Sequence, residues 1–76
     1  MITILAFGKI AEITGKPTWE EEDIEDSTAF ERRLRERFPQ LENIPFIIAI
    51  DKIKARPGDP VHSGATIAIL PPFSGG

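Results

Sequence analysis

The residues that most clearly suggest a chemical role are the last two, Gly75 and Gly76. They follow a short apolar and β-branched run, Thr66 to Leu70, and a Pro71-Pro72 pair. If the α-carboxylate of Gly76 is a reacting group, the tip of the chain must enter the active site of another protein. Two residues without side chains let the backbone lie in a narrow channel, with φ and ψ values that are closed to other residues. The ending therefore predicts acyl chemistry at the chain terminus.

A folded domain of residues 1–70 and an extended, flexible tail of residues 71–76 are predicted from this pattern. Proline has no amide hydrogen to give to a sheet, so Pro71-Pro72 ends pairing directly after the strand. Fully extended, the tail would reach roughly 20 Å at ~3.3–3.6 Å per residue. An inert, frayed terminus is the alternative for any Gly-Gly ending. The buried strand and the proline pair before it favour a functional tail.

The other residues that could take part in chemistry are more simply explained by structural roles. The chain has no cysteine and one histidine, which excludes disulfides, thiolate chemistry and a Cys/His zinc set. Consecutive acidic residues within 20–26 alternate between strand faces, so a solvated surface is favoured over acid/base or metal chemistry. The arginines of residues 32–37 are expected on a solvated helix face rather than at a phosphate site. His62 is expected to be a structural loop residue with no acid or nucleophile nearby.

Composition sets further limits on partners and location. The 76 residues have a formal net charge of −3, whereas nucleic-acid-binding domains are usually basic. The apolar start of the chain is too short for a signal peptide, and no stretch reaches transmembrane length. We therefore expect a cytoplasmic protein, without a nucleic-acid or membrane partner, that is not itself an enzyme and binds no cofactor.

The elements that must position the tail begin with a strand over residues 2–7. Gly8 ends this strand, and Lys9 to Thr14 is predicted as a short helix with Gly15 as its C-terminal stop. Residues 16–22 are predicted to form a solvent-facing second strand, with Trp19 covering the sheet edge and acids discouraging edge pairing.

One long helix is predicted over residues 28–38. Thr28 and Glu31 stand at capping-box spacing, and Phe30, Leu34 and Phe38 recur as one apolar stripe. Pro39 is expected to end the helix. A buried strand over residues 46–50, an Asp51-Lys52 turn and a minor strand over 53–56 are predicted to follow.

This order of elements predicts an α+β, ubiquitin-like β-grasp fold. One long helix covers only one face of a sheet, and a crossover through a helix returns the chain parallel. The result is a mixed sheet in which the first and last strands are central and parallel, with the long helix on one face.

The two faces of the central strands are predicted to differ in function. Alternation directs Ile4, Ala6, Ile67 and Ile69 towards the helix and leaves an apolar patch on the other face. A contiguous exposed apolar patch on so small a domain indicates a partner surface. The predicted partner-binding residues are those of this patch and the tail that continues from it: Leu5, Phe7, Leu70, Pro71, Pro72, Phe73 and Ser74.

The ending TIAILPPFSGG resembles that of the molybdopterin synthase sulfur carrier (small) subunit family, and the opening ITILAFGKIAEITG is similar to the first strand and helix of that family. The resemblance implies that Gly76, admitted with Gly75, is adenylated by an ATP-dependent activating enzyme and then becomes a C-terminal thiocarboxylate. Acyl-adenylate and thiocarboxylate would be transient modifications. The resemblance also implies a large catalytic subunit that receives the tail in a heterotetramer.

Three other functions remain open on the sequence. The chain could carry sulfur for another pathway, such as thiazole synthesis or transfer RNA thiolation. It could be a protein modifier that forms isopeptide bonds, or a binding module whose tail is inert. Residue types and spacing alone indicate only that the tail is the functional group.

Overall fold

A five-stranded mixed sheet with one long helix on one face forms the structure. The computed structural model describes residues 1–72, and residues 73–76 lie outside the description. The elements in chain order are β1 (Ile2–Ala6), α1 (Lys9–Thr14), β2 (Thr18–Glu21), α2 (Ser27–Arg37), a 3-10 turn (Pro39–Asn43), β3 (Ile47–Ile50), β4 (Ile53–Lys54) and β5 (Thr66–Leu70).

The sheet has the strand order β2-β1-β5-β3-β4. β1 and β5 are central and parallel, with Ile4 beside Ile67, whereas the other neighbouring strands are antiparallel. This confirms the ubiquitin-like β-grasp predicted from the sequence. The predicted elements are all present, with bounds that agree within two residues; β4 is two residues shorter than the predicted minor strand and ends at Lys54.

The core lies between α2 and the inner face of the sheet. Ile4, Ile67 and Ile69 are completely buried, and Phe30 and Leu34 of α2 are 1 % and 2 % exposed. The predicted direction of the inner residues and the apolar stripe of the helix are therefore confirmed. Leu41 in the 3-10 turn is also fully buried, a core position that the helix stripe did not predict.

The start of α2 differs from the predicted capping box of Thr28 and Glu31. Asp26 is the N-cap, and its Oδ1 accepts a hydrogen bond from the Ala29 N–H at 2.8 Å. Asp26 has the extended backbone that an N-cap requires, and the helix begins directly after it. Thr28 lies inside the helix, where its hydroxyl accepts a hydrogen bond from the Gly58 N–H at 2.9 Å and joins α2 to the loop before β5.

The predicted solvent-facing character of β2 is wrong for one of its faces. Trp19 and Glu21 lie two residues apart, so both side chains point to the α2 side of the sheet. The Glu21 carboxylate is only 7 % exposed and accepts hydrogen bonds from Arg33 at 3.0 Å, Arg37 at 3.2 Å and the Trp19 indole at 2.9 Å. Two arginines predicted on a solvated face thus connect the helix to β2.

Replacing Glu21 with alanine should destabilise the fold by about 1–3 kcal/mol, because a buried hydrogen-bonded carboxylate is lost and the Trp19 N–H is left without its acceptor. Glu20→Ala is the matched control, since Glu20 is exposed on the other face of the same strand. Urea denaturation of the two variants measures the difference. Equal stabilities would show that the carboxylate contributes nothing.

Candidate functional site

The face of the sheet opposite α2 is apolar at the end where β5 finishes. Leu5, Ala68 and Ala49 lie side by side across β1, β5 and β3. In the next row towards the end of β5, Leu70 lies opposite Ile47. No helix of residues 1–72 covers these side chains, which are half-buried except for Ala49 at 7 % exposed.

Phe7 completes this apolar surface at the end of β1. Its side chain is 44 % exposed. Its N–H donates a hydrogen bond to the Ile69 carbonyl at 3.1 Å, which holds Phe7 beside the end of β5. Towards the other end of the same face, Thr3 pairs with Thr66 on one side and with the exposed Glu20 on the other. The face therefore changes from polar to apolar in the direction of the tail. We call Leu5, Phe7, Ile47, Ala49, Ala68 and Leu70 the outer patch.

The first two tail residues lie at this apolar end. Pro71 and Pro72 are half-buried and follow β5 directly. Gly8 lies against Pro71: its backbone has φ +57° and ψ −132°, and a Cβ added there would be 3.3 Å from Pro71 Cγ. Glycine is required because other residues cannot adopt this backbone conformation, and because Pro71 leaves little room for a side chain at residue 8. Gly8 thus defines where the tail leaves the domain.

The sequence-predicted partner residues Leu5, Phe7, Leu70, Pro71 and Pro72 are brought together by this geometry. Their role in binding stays a prediction. The remaining predicted residues, Phe73, Ser74, Gly75 and Gly76, lie outside the described residues. Ile47 and Ala49 were missed by the sequence reasoning, although alternation along a buried β3 was a signal that one face of this strand would extend the patch.

Gly8→Ala is expected to destabilise the domain by about 1–3 kcal/mol, because a side chain strains the backbone and displaces Pro71. Gly64→Ala is the control, since Gly64 has φ +87° but open space around it. It should cost only about 1 kcal/mol from the left-handed backbone alone. Thermal melts of both variants check this, and an NMR shift of Pro71 specific to Gly8→Ala would confirm its displacement. Equal melting temperatures would contradict the close approach.

The expectation that His62 has no acid nearby is wrong. His62 Nε2 lies 2.6 Å from Asp51 Oδ2, and Nδ1 lies 2.8 Å from the carbonyl oxygen of Ser63. The other oxygen of Asp51 accepts a hydrogen bond from the Thr66 N–H at 3.0 Å, which links the β3–β4 turn to the start of β5. This pair is structural and lies at the opposite end of β5 from the tail.

The charges of this pair stabilise each other. Both neighbours of the His62 ring are acceptors, so both ring nitrogens donate in the imidazolium form. The hydrogen bond to Asp51, with that to the Ser63 carbonyl and the Asp51 charge, raises the pKa of His62 above 6.5. The Thr66 N–H and then the His62 ring lower the pKa of Asp51 below 3.8.

These pKa shifts predict how stability depends on pH. Because the pKa of His62 is raised on folding, its stabilisation is complete below 6.5 and is lost as pH rises through the raised value. Stabilisation by Asp51 is present above 3.8 and is lost as pH falls through its lowered pKa. The destabilisation caused by His62→Gln should therefore be larger at about pH 5 than at about pH 9. Urea titrations at both values measure it, and a pH-independent difference would contradict the ion pair.

Residues 1–72 contain neither a metal-binding cluster nor a membrane-spanning helix. No group of three or more histidine, cysteine, aspartate or glutamate side chains in this range is arranged to hold a metal ion. Within the same residues, none of the helices has the length and apolar character needed to cross a membrane.

The fold and the outer patch beside the tail junction define a class, the ubiquitin-like β-grasp proteins. Within that class the chain belongs to the ThiS family, whose model matches residues 4–76. The match includes the end of β1, all of α2 and β5, and the glycine pair, and so extends over nearly the whole chain.

Solved structures with the same fold support this class. A Pyrococcus furiosus protein described as a molybdopterin converting factor, subunit 1, is 13 % identical, with a TM-score of 0.85 over 93 % of this chain and 95 % of that one. Small archaeal modifier protein 1 from Methanosarcina acetivorans is 21 % identical, with a TM-score of 0.81 over 99 % of this chain and 95 % of its own. The Haloferax volcanii protein of the same name is 23 % identical, with a TM-score of 0.76 over 99 % and 98 %. At these identities the likeness shows the fold.

Proposed function

We propose that this protein is a cytoplasmic sulfur carrier of molybdenum cofactor biosynthesis, the small and non-catalytic subunit of molybdopterin synthase. Gly76 is the C-terminal residue that is loaded with sulfur and donates it. Membership of the ThiS family supports a sulfur carrier, and the similarity to a molybdopterin converting factor subunit supports this pathway.

The chemistry of loading follows from the weakness of a carboxylate as an acyl donor, since its leaving group would be oxide. A carboxylate oxygen of Gly76 attacks the α-phosphorus of ATP, and pyrophosphate leaves. A hydrosulfide equivalent then attacks the carbonyl carbon of the acyl-adenylate, and AMP leaves with the oxygen. The activating enzyme supplies the catalytic groups for both steps, and this chain supplies the reacting carbonyl.

The observation that carries the proposal is the position of the outer patch. Leu70 belongs to the patch and Pro71 follows it directly, so a partner that covers the patch also receives the tail at a fixed place. Phe7, exposed at the apolar end, is suited to an interface anchor. The activating enzyme and the large catalytic subunit of the heterotetramer would bind this surface in turn.

A protein modifier is the second candidate, and the fold similarity to two small archaeal modifier proteins favours it. A modifier uses the same adenylation but transfers the acyl group of Gly76 to a lysine amine. A carrier for thiazole synthesis or transfer RNA thiolation shares the loading steps and differs only in the sulfur acceptor.

Complementation of a strain that lacks this gene separates these functions. The wild-type chain should restore molybdopterin, and its C-terminal peptide should contain the thiocarboxylate. A chain without Gly76 should not restore molybdopterin. Lysine-linked adducts on other proteins, with molybdopterin unaffected by the deletion, would replace the proposal with the modifier. Normal molybdopterin with loss of thiazole or of thiolated transfer RNA would assign another sulfur pathway.

A further inference from the structure

A second surface lies around the β3–β4 edge of the sheet and meets the outer patch at Ile47. A groove of about 630 Å³ runs between α2 and the β3–β4 edge of the sheet. Its apolar floor includes Phe46, Ile48 and Ala55. This volume is within the range of about 300–1,000 Å³ that is typical of ligand sites.

The walls of the groove are cationic, although the chain as a whole has a net charge of −3. Arg32 and Arg35 stand on the helix wall and Arg56 on the strand wall, while Lys54 lines the rim, because it pairs with Ala49 and its side chain is on the outer face. Glu31 is the only acidic residue among those that line the groove. Four cations against one carboxylate give this surface a charge opposite to that of the protein.

The single carboxylate is already engaged. Glu31 Oε2 lies 3.2 Å from Arg35 Nε, and Arg35 also donates to the Leu41 carbonyl at 3.0 Å and lies 4.7 Å from the centre of the Phe46 ring. These contacts fix Arg35 in place. Within residues 1–72, the side chains of Arg32, Lys54 and Arg56 have no hydrogen-bond or ion-pair partner.

The sheet edge beside the groove is only partly covered. β4 contains two residues, and pairing continues as far as the Ala55 N–H, which donates to the Ile48 carbonyl at 2.8 Å. Phe46 and Ile47, before this point, line the groove. An extended segment of another protein therefore has both an apolar floor and an incompletely paired strand edge along which to lie.

We propose that this groove binds an extended, acidic segment of a partner protein, in which carboxylates alternate with apolar side chains. The carboxylates pair with Arg32 on one wall and Arg56 on the other, with Lys54 at the rim, while the apolar side chains contact the floor around Phe46. A groove with cations on both walls and an apolar floor matches a ligand whose charges are spread along its length. A single small anion would leave the floor uncovered.

The proposal does not depend on the function of the tail. β5 separates β1, with Phe7 beyond its end, from the β3–β4 edge, so a segment in the groove leaves Leu5 and Phe7 accessible and meets the outer patch at Ile47. The groove would let the protein bind one partner while its tail reacts with another.

The test uses the full-length, ¹⁵N-labelled protein and a capped peptide of alternating aspartate and valine. Chemical shifts should change in α2 and in residues 46–56, and added salt should weaken binding because surface charges are screened. Arg32→Glu combined with Arg56→Glu should weaken binding by about tenfold or more, since both walls then repel the peptide. Lys9→Glu combined with Lys16→Glu makes the same charge change outside the groove and should leave binding unchanged.

Several outcomes would overturn the proposal. A peptide in which lysine replaces aspartate should not bind, and equal binding of the two would remove the role of charge. Shift changes at Leu5 and Phe7 instead of the groove would assign the peptide to the outer patch. Displacement of the peptide by inorganic phosphate or ATP at similar concentrations would show a small-anion site instead of a peptide groove.

Discussion

Phe7→Asp is expected to leave the fold intact and to weaken binding to the activating enzyme by about thirtyfold or more, the effect of removing an interface anchor. Phe7 is 44 % exposed and lies outside the core, so its replacement removes little packing from the domain itself. In the complex, however, the aspartate would be buried among Leu5 and Leu70 without a partner. Isothermal titration calorimetry with the purified enzyme measures the loss.

Two variants make this test specific to the outer patch. Leu70→Asp should weaken binding in the same way, with some cost to stability because Leu70 is half-buried. Gln40→Asp adds an identical charge on the exposed 3-10 turn and should bind normally. Normal binding by a folded Phe7→Asp protein would show that the outer patch is not the docking surface. If Phe7→Asp does not fold, the milder Phe7→Ser replaces it in the same assay.

Gly75→Val is expected to abolish sulfur loading at Gly76 while the melting temperature stays that of the wild type. A β-branched side chain restricts the backbone and widens the tail where it must enter a narrow channel. The measurement is the fraction of protein converted to thiocarboxylate with saturating activating enzyme, ATP and sulfur donor. Removal of Gly76 should have the same effect because the reacting carbonyl is lost.

Ser74→Val is the matched control for this prediction. It introduces the same side chain one residue earlier and should reduce loading much less, because the tip is where the channel must close around the backbone. Full loading of Gly75→Val would contradict a narrow channel. A large fall in its melting temperature would show that the glycine pair contributes to the fold.

Much of the fold could be predicted because local signals and the global arrangement agree. Gly15 has φ +79° and ends α1 where the sequence placed the stop, since only glycine adopts this conformation without strain. Thr66–Leu70 is a strand with alternating burial, and the proline pair follows it. The direction of the outer residues followed from the two-residue period of a strand.

The errors arose where a side chain finds its partner far away in sequence. Glu21 belongs to an acidic run typical of a solvated surface, yet α2 brings Arg33 and Arg37 to it. His62 and Asp51 are eleven residues apart and meet only because the start of β5 lies beside the β3–β4 turn. Neither contact has a local sequence pattern.

The helix cap is a different kind of error. Three consecutive residues, Asp26, Ser27 and Thr28, are all good N-cap types, so composition could not choose among them. The choice is made by the loop before β5, because Ser27 donates hydrogen bonds from its backbone and side chain to the carbonyls of Asp59 and Arg56 at 2.8 Å and 2.6 Å. Tertiary contacts therefore fix where the helix begins.

The candidate site was predictable in its residues but not in its extent. Leu5, Phe7 and Leu70 followed from strand alternation, whereas Ile47 and Ala49 required the pairing of β3 with β5. The position of Gly8 against Pro71 could not be predicted, because the glycine was sufficiently explained as the end of β1. Close approach of two segments is visible only in three dimensions.

Intact-mass spectrometry after incubation with the activating enzyme, ATP and a sulfur donor shows whether this protein carries sulfur at Gly76. We expect an ATP-dependent mass increase equal to the difference between one sulfur and one oxygen atom, which fragmentation locates at Gly76. Because the chain has no cysteine, the sulfur cannot be attached to a thiol side chain. A protein that binds the enzyme but keeps its original mass, or that gains sulfur at any residue other than Gly76, would contradict the proposed sulfur carrier.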